Sequence, residues 1–143
     1  MISQREYVQL SERRSTLAVT VVFTKIPATL RALKMAAELA QNLNGRIRLL
    51  VPQVVPYPLP LEKPAVSAEF NRRRLQTLAS QGSIDTRVEL WLCRDRYDAL
   101  SRALEPEALV VIGVRRSWWP AAEKALARRL RRKGHEVVLV SAN

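Results

Sequence analysis

The amino-acid sequence predicts an α/β protein: a three-layer α/β/α sandwich with a parallel sheet between two layers of helices. Three observations carry the prediction. The spacing of apolar residues switches repeatedly between strand-like and helix-like, in strict alternation, and units of this length imply right-handed crossovers. The first such segment, "TLAVTVVF" (Thr16 to Phe23), is a continuous apolar and β-branched run, as expected of a strand buried on both faces. With 143 residues, 48% of them hydrophobic, the chain is long enough for one core and too short for two ordinary domains.

Each element follows from local pattern. Lys25, Ile26 and Pro27 end the first strand. Thr29 then caps a helix running to Asn44-Gly45, with Leu30, Leu33, Ala37, Ala40 and Leu43 on its core side and Arg31, Lys34, Glu38 and Gln41 facing water. "RIRLLVPQVV" is the second strand, and prolines at 56, 58, 60 and 64 make the next segment an extended connector. Val66 to Ser80 forms the second helix, placing Phe70, Arg74 and Leu78 along one line with Leu75 and Ala79 beside it. "TRVELWL" alternates as a third strand, with Val88, Leu90 and Leu92 opposite Arg87, Glu89 and Trp91. "RYDALSRAL" is a third helix, stopped by Pro106, with Asp95 and Asp98 as N-terminal helix charges. "EALVVIG" is the fourth strand, Ala121 to Lys133 the fourth helix and "HEVVLVSAN" the fifth strand. Residues 1–15 are read as a flexible N-terminal arm and 16–143 as a single domain.

Composition narrows the function. A net charge of +11 favours anionic partners: nucleotide phosphates, nucleic acid or lipid headgroups. Cys93 is the only cysteine, so no intramolecular disulfide forms, which fits a cytoplasmic protein. The N-terminal residues contain no apolar run suited to a signal peptide or membrane span. His135 is the only histidine, no Gly-x-Ser-x-Gly elbow occurs, and Ser101, Ser117 and Cys93 have no recognisable base partner. The expectation is therefore no catalytic residue, no metal site and no enzyme activity.

"TLRALKMAAELAQNLNGRIRLLVPQVV", and "EALVVIG" followed by "ALARRLRRKGHEVVLV", give the chain a rhythm that resembles the universal stress protein family from Thr16 to Val140. The resemblance implies a five-stranded parallel sheet in the order 3-2-1-4-5 and a homodimer paired through the fifth strand. ATP-binding members of that family carry an acidic residue after the first strand, then Gly-x-x-Gly and a later Gly-Ser or Gly-Thr after the fourth. In this chain Thr24 and Lys25 stand at the acidic position, Gly113 keeps the first glycine, Arg116 replaces the second, and Lys124-Ala125 aligns with the later pair. Glycines let backbone amides approach phosphate, so these replacements remove the cradle, and ATP is not expected as a cofactor in the family's usual mode.

What remains is an altered anion site. With order 3-2-1-4-5, a ligand would sit where strands one and four diverge, facing Lys25, Gly113, Arg115, Arg116, Ser117 and Lys124. A solvated rim with no ligand is the competing reading. Trp118 and Trp119 beside it either pack against the sheet edge or form a stacking platform. The main functional expectation is a non-catalytic, dimeric stress-protein-like module with at most weak or altered anion or nucleotide binding. The alternative is a nucleic-acid- or acidic-membrane-surface-binding protein that uses the basic patch Arg128, Arg131, Arg132 and Lys133, the nucleic acid being bound without sequence specificity. A third is a nucleotide-hydrolysing relative with a rearranged site. The fifth-strand run "EVVLV" is an edge prone to pairing, and a proline at Val138 is expected to disrupt it.

Overall fold

The computed structural model describes residues 18–82, 84–114 and 121–141. The expected N-terminal arm and residues 115–120 lie outside them. The elements in chain order are β1 (Ala18–Val22), α1 (Ile26–Leu43), β2 (Arg46–Val54), α2 (Ala68–Ala79), β3 (Thr86–Cys93), α3 (Arg96–Ala103), β4 (Leu109–Val114), α4 (Ala121–Arg132) and β5 (Glu136–Ser141). All five strands are parallel, in the order β3-β2-β1-β4-β5. Both the fold class and the strand order agree with expectation.

Alternation along the strands builds two cores. Val19, Val21, Leu49, Val51, Val88 and Val111 face one side, where Ala32, Ala36 and Ala40 of α1 and Leu75 and Ala79 of α2 cover them. Val22, Leu50, Val110, Ile112 and Val137 face the other, under Leu100 and Ala103 of α3 and Leu126, Ala127 and Leu130 of α4. This two-sided burial explains why the central strands are apolar without interruption.

Helix α1 departs from the expected pattern. Its buried residues are Ala28, Thr29, Ala32, Ala36 and Ala40, an alanine stripe that lets the helix axis come close to the sheet. Leu30 and Leu43, expected in the core, are 43% and 50% exposed. Leu30 and Leu33 turn sideways with Ile26 into an apolar groove shared with Phe23, Leu49, Leu75, Leu78 and Ala79. The helix also starts before Thr29: Lys25 is the N-cap without a side-chain cap bond, and Pro27 fits the first turn because its missing N–H has no partner to lose there. At the other end Asn44, with φ 53°, makes the left-handed cap and donates its N–H to the Ala40 and Gln41 carbonyls.

Two further expectations need correction. Phe70 is 62% exposed, because α2 rests on the sheet through Leu75 and Ala79 and turns its Phe70 side outward. The proline segment is not an extended spacer: it folds through turns closed by Leu59 N–H to Pro56 and Lys63 N–H to Pro60. Arg94 anchors it, donating to the Val55 and Leu59 carbonyls at 2.9 and 2.8 Å and lying over the Tyr57 ring. Asp95 caps α3 by accepting from the Asp98 N–H at 2.9 Å, as its sequence position suggested.

One ion pair crosses adjacent strands: Arg48 on β2 and Glu89 on β3 meet at 2.6 Å, with side chains only 16% and 27% exposed. The hydrogen bond from Arg48 holds the Glu89 carboxyl below its ordinary pKa. A lowered carboxyl pKa stabilises the fold above the unfolded-state value, about 4.3, and that contribution disappears as pH falls through the folded-state value. Glu89→Gln is therefore expected to cost about 1–2 kcal/mol at pH 7 by leaving Arg48 without its partner. In urea titrations the gap between wild type and variant should narrow between pH 7 and an acidic pH at which the Glu89 carboxyl is protonated in the folded protein. An equal gap at both pH values would show that the pair is not the cause.

Candidate functional site

Between β1 and β4 the strand order reverses, because the chain crosses to β2 on one side and β4 starts the other half of the sheet. At such a point the loops diverge and leave a crevice at the carboxyl ends of the strands. Among the described residues, residues 23–31 and the end of β4 meet at this point. Phe23 N–H continues the ladder to the Leu50 carbonyl at 2.9 Å. Thr24 then turns the chain: its N–H donates to Thr29 Oγ1 at 3.1 Å, and its hydroxyl donates to the Gly113 carbonyl at 3.1 Å. Thr29 is thus a buried brace within the first turn of α1 instead of its N-cap.

Gly113 has a structural reason to be glycine. It lies inside β4, and a Cβ there would fall on the Ala28 backbone, 2.5 Å from the carbonyl carbon and 3.1 Å from Cα. The first turn of α1 therefore sits directly on the β4 backbone. The glycine expected to open a phosphate cradle serves a helix-to-strand contact, and its carbonyl is already bonded to Thr24.

Among the described residues, two cations at these strand ends belong to α1 and its N-cap. Lys25 is exposed at the N-cap. Arg31 was assigned to the solvent side of the helix; it reaches the end of β4 and donates from Nη2 to the Val114 carbonyl at 3.2 Å. Its Nε is buried with no hydrogen-bond partner among the described residues. The overlooked signal was the Ala28-Ala32-Ala36-Ala40 repeat: once that stripe is the buried face, Arg31 falls on the flank toward β4. Lys124 is exposed in the first turn of α4, so Lys25 and Lys124 stand on helices covering opposite faces of the sheet. Arg115, Arg116, Ser117, Trp118 and Trp119 lie outside the described residues.

The remaining reactive side chains have structural partners. Cys93 is buried beneath the connector with Sγ 3.7 Å from the Gln53 carbonyl, and burial pushes its thiol pKa up, away from the nucleophilic thiolate. His135 Nδ1 accepts the Ala108 N–H at 3.1 Å, which ties the turn before β5 to the start of β4. No group of three or more His, Cys, Asp or Glu side chains among the described residues is placed to hold a metal ion. Nor, among those residues, is any helix long and apolar enough to cross a membrane.

The basic patch on α4 divides when its contacts are traced. Arg131 donates to the Val137 carbonyl on β5 at 2.7 Å, and Arg129 lies 3.6 Å over the Tyr97 ring of α3. Arg128, Arg132 and Lys133 are exposed. The edge of β5 can be read from the bond between Glu136 N–H and the Ala108 carbonyl at 3.0 Å. With Glu136 paired to Leu109, alternation turns the amides of Glu136, Val138 and Val140 toward β4 and those of Val137, Leu139 and Ser141 toward the open edge. A proline at Val138 would thus break the sheet itself, and the edge-facing position is Leu139.

No protein-family model and no curated protein sequence matches the chain. Solved structures do. A universal stress protein from Archaeoglobus fulgidus superposes with a TM-score of 0.66 at 16% identity, over 94% of this chain and 98% of that one. A universal stress protein from the same organism in complex with dAMP gives 0.60 at 16% identity, over 87% and 97%. A protein of the universal stress protein family from Burkholderia pseudomallei gives 0.61 at 22% identity, over 87% and 96%. The chain therefore has the universal stress protein fold.

Proposed function

We propose that this chain is a non-catalytic module of the universal stress protein kind, which binds an anionic ligand weakly where β1 and β4 diverge. The observation that carries this reading is the placement of Lys25 and Arg31 at the carboxyl ends of these two strands. One solved protein of the same fold holds dAMP, so a nucleotide is the natural ligand class to try. In this chain recognition rests on side-chain cations and not on a glycine cradle, because Gly113 is closed against Ala28 and the later glycine positions are Arg116 and Lys124. Charge-assisted bonds from lysine and arginine hold phosphate with less geometric selection than a ring of backbone amides. Catalysis is not part of the proposal, since Cys93 and His135 are occupied structurally.

Calorimetric titration with ATP, AMP and inorganic phosphate tests the site. Weak binding is expected, with Lys25→Ala lowering affinity roughly tenfold, about 1.4 kcal/mol. Protein that purifies with stoichiometric ATP, or binding indifferent to Lys25→Ala, would overturn this reading.

The same reading includes a homodimer paired through β5. Leu139 and Ser141 present their backbone groups outward, and "EVVLV" contains no proline or charged residue after Glu136 to discourage pairing. Arg131 covers the Val137 carbonyl and so confines pairing to the second half of the strand unless it swings aside. Leu139→Pro removes one outward N–H while leaving the bonds to β4 in place, and should shift sedimentation toward monomer. A folded Leu139→Pro protein that stays dimeric, or a wild type that is monomeric at high concentration, contradicts the interface.

A further inference from the structure

The outer surface of α4 carries more positive charge than folding requires. Between Ala121 and Lys133 six residues are basic (Lys124, Arg128, Arg129, Arg131, Arg132 and Lys133), against one acid, Glu123. The buried face of the helix is fixed by Leu126, Ala127 and Leu130, which are 7%, 0% and 0% exposed. At about 100° per residue, Arg128 and Arg132 fall about 160° from Leu130 and Lys124 about 120° from it, so the three wind about 80° around the outer side of the helix. The two flanking arginines are committed: Arg129 to the Tyr97 ring and Arg131 to the β5 edge. None of the ion pairs among the described residues involves this helix. What is left is a ridge of exposed cations that winds slowly around the helix, each about 6 Å along the axis from the next.

Helix electrostatics account for only part of the ridge. Cations in the last turn complement the helix dipole, which explains Arg132 and Lys133. Lys124 stands in the first turn, where a cation is unfavourable, and Arg128 lies in the middle.

From this arrangement we infer that the Lys124-Arg128-Arg132 ridge is a docking surface for the phosphodiester backbone of nucleic acid. A regular row of cations on a rigid helix matches a regular row of phosphates and requires no base contact. A lipid surface fits less well. Helices that lie on membranes insert large apolar side chains, whereas the apolar face of α4 is buried in the protein. Among the described residues the exposed large hydrophobics are Ile26, Leu30, Leu43, Val54, Tyr57, Val66 and Phe70, all outside α3 and α4. Arg128 and Arg132 lie along the helix on the face of the sheet away from α1, whereas Lys124, in the first turn after β4, is also one of the residues expected at the anion site.

Fluorescence anisotropy with labelled duplex DNA of arbitrary sequence, titrated over a range of salt concentrations, tests the inference. Three phosphate contacts predict a slope of log K against log salt of about −2.7, the same for unrelated sequences. Lys124→Glu, Arg128→Glu and Arg132→Glu combined should reduce affinity at least tenfold while circular dichroism and thermal unfolding stay near wild type. Arg131→Gln should leave the slope unchanged. Three results overturn the inference: no DNA binding by the wild type at low salt, binding that survives the triple substitution, or binding to phosphatidylserine vesicles without binding to DNA.

Discussion

The contact between Gly113 and Ala28 sets the geometry at the centre of this molecule. Where β4 ends, the absence of a single Cβ lets the first turn of α1 rest on strand backbone. Everything nearby depends on that approach. It brings the Thr24 hydroxyl to the Gly113 carbonyl and lays the alanine stripe of α1 along β1 and β4. It also carries Arg31 to the end of β4. Small residues on the helix and a glycine on the strand solve one packing problem together, because a larger residue at either position would lift the helix off the sheet.

The same contact shapes the chemistry. At a topological switch point the scaffold offers a crevice, and nucleotide-binding loops fill it with backbone amides made accessible by glycine. Here the glycine that remains is used for packing, so side-chain cations on α1 supply the positive charge. A site of the proposed kind would respond to charge more than to shape. A second region of positive potential, the α4 ridge, lies on the other face of the sheet, and arginines beside it are tied to Tyr97 and Val137. Among the described residues the basic side chains thus divide into arginines that brace the fold and cations left facing solvent.

The strands were legible because burial on both faces forces an apolar run, and few other local structures require one, whereas their order followed from the resemblance to universal stress proteins. The boundaries of α1 were less so. Thr29 satisfies the usual preference for an N-cap, but Pro27 favours the first helical turn, and the structure follows the proline. Leucine spacing then pointed to the wrong face, since Leu30 and Leu43 are larger than the alanines that the sheet selects. Phe70 misled in the same way: α2 packs by Leu75 and Ala79, and nothing in local spacing records which flank of a helix meets its neighbour. Of the candidate site, Lys25 was legible and Arg31 was not, because its role depends on a strand 83 residues later in the chain. Gly113 was read as part of a phosphate-binding corner, and the structure shows it in close contact with Ala28, because a glycine after a strand signals phosphate binding and close packing equally well.

The most direct test of this account is the unfolding free energy of Gly113→Ala measured beside Gly82→Ala. A Cβ at Gly82 would meet its nearest neighbour, the Ala79 carbonyl oxygen, at an ordinary 3.6 Å, whereas a Cβ at Gly113 meets backbone that cannot move alone. The expected loss is about 3 kcal/mol or more for Gly113→Ala and within about 0.5 kcal/mol for Gly82→Ala. Near-equal stability of the two variants would mean that α1 and β4 adjust to the added carbon, and that the Gly113 contact does not set the geometry of the site.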